Sequence, residues 1–322
     1  MRTRLTDVLQ VEHPVMLAGM GGVSYHRLVA AVSEAGGFGC MGASTMGAEQ
    51  MRDEIAKVRA ITDKPFGVDL LTAAPGDMTA KVNDIIDGGG SVFVAGLGVP
   101  RDVVDLCHSR NVLVVSMCGK VRHAVAAVEA GCDIVVAQGT EAGGHTGKIA
   151  TFALVPQVVD AVGERVPVVA AGGIVDGRGL AAALALGADG IWVGTRFIAT
   201  PEANGVEGYK EALLRTHEDG TTITRAYTGK TCRVIENGYT KAFEADGGVP
   251  EPFPMQVVKT MQEGANHLGG DPSTPDIDPD KEFWPAGQGV GSIDELVPAG
   301  ELVERFVREA EEALGTITRA FA

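Results

Sequence analysis

Short apolar runs alternate with longer amphipathic segments over the first two thirds of the chain. The runs at 14–17, 38–41, 66–70, 91–95, 112–117, 134–137, 167–171 and 190–193 are near-continuously apolar and read as strands. Between them, 24–35, 48–61, 79–88, 101–109, 121–130, 154–162, 176–186 and 205–216 carry the spacing of helices with one buried face. Strands without polar alternation are buried on both faces, which implies a parallel sheet covered by helices. Eight such units in strict alternation predict a closed (β/α)8 barrel of the α/β class. An open doubly wound sheet is the alternative. It places its phosphate loop after the first strand, whereas the richest glycine loops here follow the sixth, seventh and eighth strands.

Local signals support these boundaries. Asp176 precedes Gly177-Arg178-Gly179 and an Ala/Leu-rich helix, as an N-cap does. Gly187 suits the residue after that helix, and Ser24 is the candidate cap of the first. The pattern changes beyond Thr216. Pro-rich and Gly-rich pieces such as 247–254 predict an irregular region, with a helix at 255–267, an exposed loop at 269–280 and an amphipathic helix at 299–317. The expected organisation is a barrel over 1–216, a capping and substrate region over 217–300, and a C-terminal helix within 301–322 packing on the barrel.

Composition narrows the function. The 322 residues carry a formal net charge of −15. An acidic chain repels a phosphodiester backbone, so nucleic acid is not an expected partner. A small phosphorylated ligand stays possible, because local N–H groups bind phosphate against the global field. The five cysteines form no CxxC pair, which argues against a disulfide framework or a zinc site. The first residues lack a signal-peptide apolar core, and no apolar run reaches membrane-spanning length. The expectation is a cytoplasmic protein with no metal and no membrane association. The oligomeric state is left open.

The chemistry concentrates in the loops. Gln138-Gly139-Thr140-Glu141-Ala142-Gly143-Gly144-His145-Thr146-Gly147 directly follows a strand-like run. Glycines let backbone approach a ligand, and His145 is the side chain there suited to proton exchange near neutral pH. Ala170-Ala171-Gly172-Gly173-Ile174 follows the seventh strand and Trp192-Val193-Gly194-Thr195-Arg196-Phe197 the eighth. Each alone is a tight turn. On adjacent strands of a barrel they form the usual phosphate position. The first strand ends in Ala18-Gly19-Met20, small residues and a methionine suited to a flat aromatic ring. Asp69 ends the third strand, either as a ligand contact or as a helix cap. Ser116 and Lys120 lie near the fifth strand end. Arg196 reads as a structural ion-pair partner.

Together, 138–147, 170–174 and 194–197 closely resemble the nitronate monooxygenase family, formerly called 2-nitropropane dioxygenases. The resemblance runs from about Pro14 to Tyr209 and resumes at 283–289, Phe-Trp-Pro-Ala-Gly-Gln-Gly. It implies a (β/α)8 barrel with a small capping region, non-covalent FMN, and His145 as the catalytic residue. By position it implies that Gln138 and Gly143 contact the flavin, that Gly172, Gly173, Gly194 and Thr195 hold its phosphate, and that Ala18, Gly19 and Met20 line its ring. Asp69, Trp192 and Val193 complete this cofactor site. The family often has proline where Gly19 stands, asparagine at Asp69, and a smaller or amide residue at Trp192. The implied reaction is oxidation of an alkyl nitronate by O2 to a carbonyl compound and nitrite. FMN-dependent enoyl-ACP reductases, which use NAD(P)H on an enoyl thioester, share the same motifs and are the alternative.

Overall fold

The computed structural model describes residues 1–72, 77–96, 98–268 and 270–321. Its strands are β1 (Val15–Leu17), β2 (Gly39–Gly42), β3 (Phe66–Leu71), β4 (Val92–Gly96), β5 (Leu113–Cys118), β6 (Ile134–Gln138), β7 (Gly144–His145), β8 (Val168–Ala171), β9 (Gly190–Val193), β10 (Thr221–Thr224) and β11 (Cys232–Ile235). The helices are α1 (Arg4–Leu9), α2 (His26–Glu34), α3 (Ala48–Ile61), α4 (Met78–Asp87), α5 (Arg101–Ser109), α6 (Val121–Ala130), α7 (Thr151–Val162), α8 (Gly177–Ala185), α9 (Thr195–Ile198), α10 (Glu207–Arg215), α11 (Gly238–Ala245), α12 (Met255–Gln262) and α13 (Ala299–Ala320).

Eight parallel strands pair in the order β1-β9-β8-β6-β5-β4-β3-β2, and a parallel bridge from Met16 to Phe38 joins the two ends. This is the (β/α)8 barrel that the apolar period predicts, with all eight strands where expected. Inward residues of alternate register fill the interior. Met16, Cys40, Val94, Val136 and Trp192 pack there, and Leu5 and Leu9 of α1 plug the bottom. Residues one position away, such as Val135 and Ala137, face the helices. The strand period of two therefore divides one chain into two apolar layers. The five cysteines are buried thiols.

Differences from the sequence reading have local causes. Ser24 does not cap α2, whose N-cap is Tyr25 with no side-chain bond. Its hydroxyl instead accepts from the amides of Met20 at 2.7 Å and Gly42 at 2.9 Å, fastening the β1 loop to β2. Asp176 caps α8 as expected, accepting from the Arg178 amide. The helix expected over 255–267 stops at Gln262, just before Gly264 with φ +65°. The helix expected over 299–317 runs on to Ala320. The loop expected over 269–280 begins at Gly269, outside the described residues; from 270 onward it contains neither helix nor strand. Short α1, α11 and the three-stranded antiparallel sheet β10-β11-β7 were not legible. Among the described residues, no helix is long and apolar enough to cross a membrane.

Helix α13 lies along α8 and α2. Phe306 and Ala310 approach so closely that a Cβ on Gly177 would overlap the Ala310 backbone. Gly177→Val is expected to destabilise the fold by roughly 1–3 kcal/mol through overpacking. A urea melt reads this directly; an unchanged midpoint would mean that α13 is not held against α8 in solution.

Candidate active site

One cavity of about 1370 Å³ opens at the C-terminal end of the barrel strands. Ala18, Gly19, Met20, Asp69, Gln138, Gly143, His145, Gly172, Gly173, Trp192, Val193, Gly194 and Thr195 all line it. The topology explains the convergence. These residues follow different strands, and a closed parallel barrel delivers every strand end to the same face.

The β6 loop carries His145 and is tied down along its length. The Gln138 side-chain amide donates to the His145 carbonyl at 2.7 Å. The hydroxyls of Thr140 and Thr146 donate to the carbonyls of Gly147 and Gly139. Glu141 reaches forward to the first residue of α7. Its carboxylate accepts from the Thr151 amide at 2.9 Å and the Thr151 hydroxyl at 2.9 Å, capping a helix whose own N-cap, Ala150, has no capping side chain. The Thr151 hydroxyl also sits 3.1 Å from the Gly172 carbonyl. One carboxylate thus links the histidine loop, α7 and the β8 loop. The sequence reading missed it, because Glu141 lies ten residues before Thr151 and caps the helix across the loop rather than from the N-cap position.

His145 forms β7 with Gly144 and pairs antiparallel with Cys232 of β11. Its Nε2 lies 3.1 Å from the Thr228 hydroxyl, and the Phe253 ring meets it edge-on with centroids 6.4 Å apart. Nδ1 has no partner among the described residues and is not sealed off, so it opens to the cavity. Burial and then nearby Lys230 push its pKa down to about 4. The ring is therefore neutral at pH 7. The sequence reading expected an exchangeable proton near neutrality; burial and then Lys230, supplied by a distant segment, remove it from that window.

The β8 and β9 loops form a cradle. Gly172 and Gly173 adopt φ values of +107° and +73°, where a side chain is strained. A Cβ on Gly172 would also come within 2.7 Å of Thr151 Oγ1. Among the described residues, the backbone amides of Gly172, Gly173, Gly194 and Thr195 find no acceptor. Four unpaired donors at a cavity wall suit a phosphate. The Thr195 hydroxyl accepts from the Gly287 amide at 3.0 Å, and the Gln288 amide donates to the Glu141 carbonyl at 2.8 Å. The 283–289 stretch is therefore a strap that fixes both the cradle and the histidine loop.

Asp69 and Gly19 face each other. A Cβ on Gly19 would overlap the Asp69 side chain. No hydrogen bond or ion pair closes on the Asp69 carboxyl among the described residues, and burial pushes its pKa up to about 8. It lines the cavity and caps no helix. Cys40 on the neighbouring strand remains a thiol, raised by burial and by Asp69. Among the described residues, Arg196 has no ion-pair partner. Its buried guanidinium donates to the carbonyls of Ala199 and Glu295, the latter at 3.1 Å.

The chain is similar to several known proteins. A family model described as nitronate monooxygenase matches residues 2–84 and 75–309. A Mycobacterium tuberculosis (3aS,4S,5R,7aS)-5-hydroxy-7a-methyl-1-oxo-octahydro-1H-indene-4-carboxyl-CoA dehydrogenase is 39% identical over 76% of this chain and 69% of its own. A Staphylococcus aureus probable nitronate monooxygenase is 31% identical over 83% of this chain and 88% of its own. Among solved structures, FabK from Thermotoga maritima superposes with a TM-score of 0.89 at 33% identity, covering 100% of both chains. A nitroalkane oxidase from Streptomyces ansochromogenes gives 0.86 at 32% identity, covering 97% of this chain and 99% of that one.

Two outcomes follow from the geometry. Glu141→Ala removes a helix cap and is expected to cost about 1 kcal/mol and to speed amide exchange across 139–147. Unaltered exchange there would mean that the loop is held without Glu141. Asp69 keeps its proton in the native state between its ordinary value of 3.8 and about 8, whereas the unfolded chain releases it. The native state then binds more protons, so this group's contribution to stability falls as pH rises through that window. Asp69→Asn should melt above the parent by a margin that widens from pH 5 to pH 8. A margin independent of pH would show that Asp69 ionises normally.

Proposed function

The chain belongs to the nitronate monooxygenase family of oxidoreductases, and from that premise we propose that it is an FMN-dependent enzyme oxidising alkyl nitronates with O2 to a carbonyl compound and nitrite. The observation that carries this reading is a neutral His145 beside Lys230, with one ring nitrogen open to the cavity. An imidazole with a pKa near 4 is a weak base, poorly suited to pulling a proton from a neutral nitroalkane. A nitronate arrives already deprotonated and needs only to be held. The Thr228 hydroxyl has one proton for two acceptors, the Lys230 carbonyl at 3.2 Å and Nε2 at 3.1 Å; turned to Nε2, it leaves the ring's own proton on Nδ1, offered to the nitronate oxygen. Lys230 adds a positive potential at the same place.

The residues fit FMN rather than a dinucleotide. The unpaired amides after β8 and β9 suit one phosphate, and Gly19-Met20-Gly21-Gly22 lacks the spacing of a dinucleotide loop after β1. Gly172, Gly173, Gly194 and Thr195 would hold the phosphate. Ala18, Gly19, Met20, Asp69, Gln138, Gly143, Trp192 and Val193 would surround the ring. When bound, FMN supplies electron acceptance from the substrate and reactivity with oxygen. The second reading, NAD(P)H-dependent reduction of an enoyl thioester, is favoured by two features. A cavity of about 1370 Å³ exceeds what a flavin and a short nitronate fill. The 39% identical relative acts on a CoA compound. Against it, that chemistry needs a protonated donor, whereas burial and Lys230 hold the His145 ring in its neutral form at pH 7.

The test is anaerobic mixing of the flavin-loaded protein with propyl nitronate and, separately, with NADH and NADPH, followed by flavin absorbance. Nitronate is expected to bleach the flavin, and heat-released flavin to chromatograph as FMN. His145→Ala should slow bleaching by about 10²–10³, the usual loss for one hydrogen-bond donor to an anion. His145→Asn, whose amide reaches the Nδ1 position, should recover most of that loss. Bleaching by NADPH but not nitronate would replace this reading with the second one.

A further inference from the structure

The segment that reaches across to the histidine loop buries a cation outside the cavity. Arg233, in β11, is only 5% exposed and does not line the cavity. Burial disfavours its charge, and Glu141 offsets this from beyond ion-pair contact. Among the described residues, ion pairs form on other arginines, such as Arg52, Arg110 and Arg305, and not on Arg233. A guanidinium taken out of water without a carboxylate is costly unless its donors are used.

They are used on the β6 loop. Nε donates to the Thr140 carbonyl at 3.0 Å, and Nη1 donates to the Thr221 hydroxyl at 3.1 Å. Thr221 lies on β10, so the planar fork spans from the outer sheet to the loop. Thr140 uses its other polar groups within the loop. Its amide donates to the Ile149 carbonyl at 2.8 Å, and its hydroxyl donates to the Gly147 carbonyl at 3.0 Å. These two bonds join the rising limb of the loop to its returning limb. The Thr140 carbonyl is the group left to face Arg233.

The same strand grips the stretch between the limbs. Cys232 pairs with His145 and Arg233 with Gly144, and the Thr146 amide donates to the Thr231 carbonyl at 3.3 Å. Residues 231–233 therefore meet the loop twice, by backbone at 144–146 and by the Arg233 side chain at 140. Two residue pairs are a marginal ladder by themselves. The side-chain bond turns that single line of contact into a mount at two points. Orientation matters here because the His145 ring meets Thr228 through one contact, Nε2 to the hydroxyl at 3.1 Å. Thr228 precedes β11 in the same segment. A small tilt of the loop against that segment breaks the contact, since a hydrogen bond weakens steeply with angle.

We propose that Arg233 is a positioning residue for His145. It holds the Thr140 carbonyl, and through it the β6 loop, at the angle that sets the imidazole against Thr228 with its other nitrogen toward the cavity. The proposal rests on reading His145 as the group that receives the nitronate.

The experiment compares Arg233→Met, Arg233→Lys, His145→Ala and the double variant Arg233→Met with His145→Ala, all flavin-loaded. Methionine fills the site without a charge, so flavin content and melting temperature are expected to stay near those of the parent. Anaerobic bleaching by propyl nitronate should slow by about tenfold to a hundredfold in Arg233→Met, the scale of a displaced reacting group. Arg233→Lys, which can still reach one acceptor, should recover part of that loss. In a His145→Ala background, Arg233→Met should have no further effect, because both changes act through one ring. Histidine-selective nitrogen NMR reads that ring directly, its signals identified by their absence in His145→Ala. Arg233→Met should move them toward the averaged tautomers of a free imidazole. Unmoved ring signals in folded, flavin-loaded Arg233→Met overturn the proposal, as do losses that add in the double variant. Should methionine unfold the chain, Arg233→Lys carries the same two readouts. If nitronate fails to bleach the parent, the functional reading fails, and the ring signals still decide the role of Arg233.

Discussion

The contact between the Glu141 carboxylate and the first residue of α7 organises the face on which the cavity opens. A barrel loop as rich in glycine as 139–147 has many backbone conformations to lose. Glu141 fixes one of them by spanning from the loop to the amide and hydroxyl of Thr151. The Thr151 hydroxyl stands against the Gly172 carbonyl, which places the β8 loop relative to the β6 loop. The strap then closes over both, through Gln288 on the Glu141 carbonyl and Gly287 on the Thr195 hydroxyl. Remove the carboxylate and three neighbouring loops lose their common reference.

The barrel was legible because its physics is periodic. A strand buried on both faces must be apolar throughout, and a covering helix must repeat its apolar face every three to four residues. Both patterns survive in one dimension. The outer sheet left no such trace. β10 reads Thr-Thr-Ile-Thr, and β7 is two residues, Gly144 and His145, paired with β11 nearly ninety residues later. Nothing local requires these segments to be strands; the pairing is tertiary. The identities of the cavity residues were legible through their glycines and the histidine. Their electrostatics were not, because the depressed basicity of His145 comes from burial and Lys230 and the raised acidity constant of Asp69 from burial alone.

Gly19 and Asp69 illustrate why single positions mislead. In sequence they are two separate departures from a family pattern, 50 residues apart. In space they are one adjustment, since the glycine leaves the room that the aspartate side chain occupies. A carboxyl pushed toward its uncharged form by burial then stands in the cavity wall, and it can donate a hydrogen bond that an ionised one could not.

The two-residue strand at His145 belongs to two structures at once. It is the end of the β6 loop, set by the barrel, and it is the third strand of the outer sheet, set by β11. The segment that shapes the outer wall is therefore hydrogen-bonded to the His145 strand itself. In evolutionary terms, selectivity and turnover are inherited together here. A chain that remodels its outer wall to admit a new substrate also re-aims its histidine. New specificities should then arise by exchange of the whole segment with its strand pairing intact, rather than by accumulation of single changes around the rim.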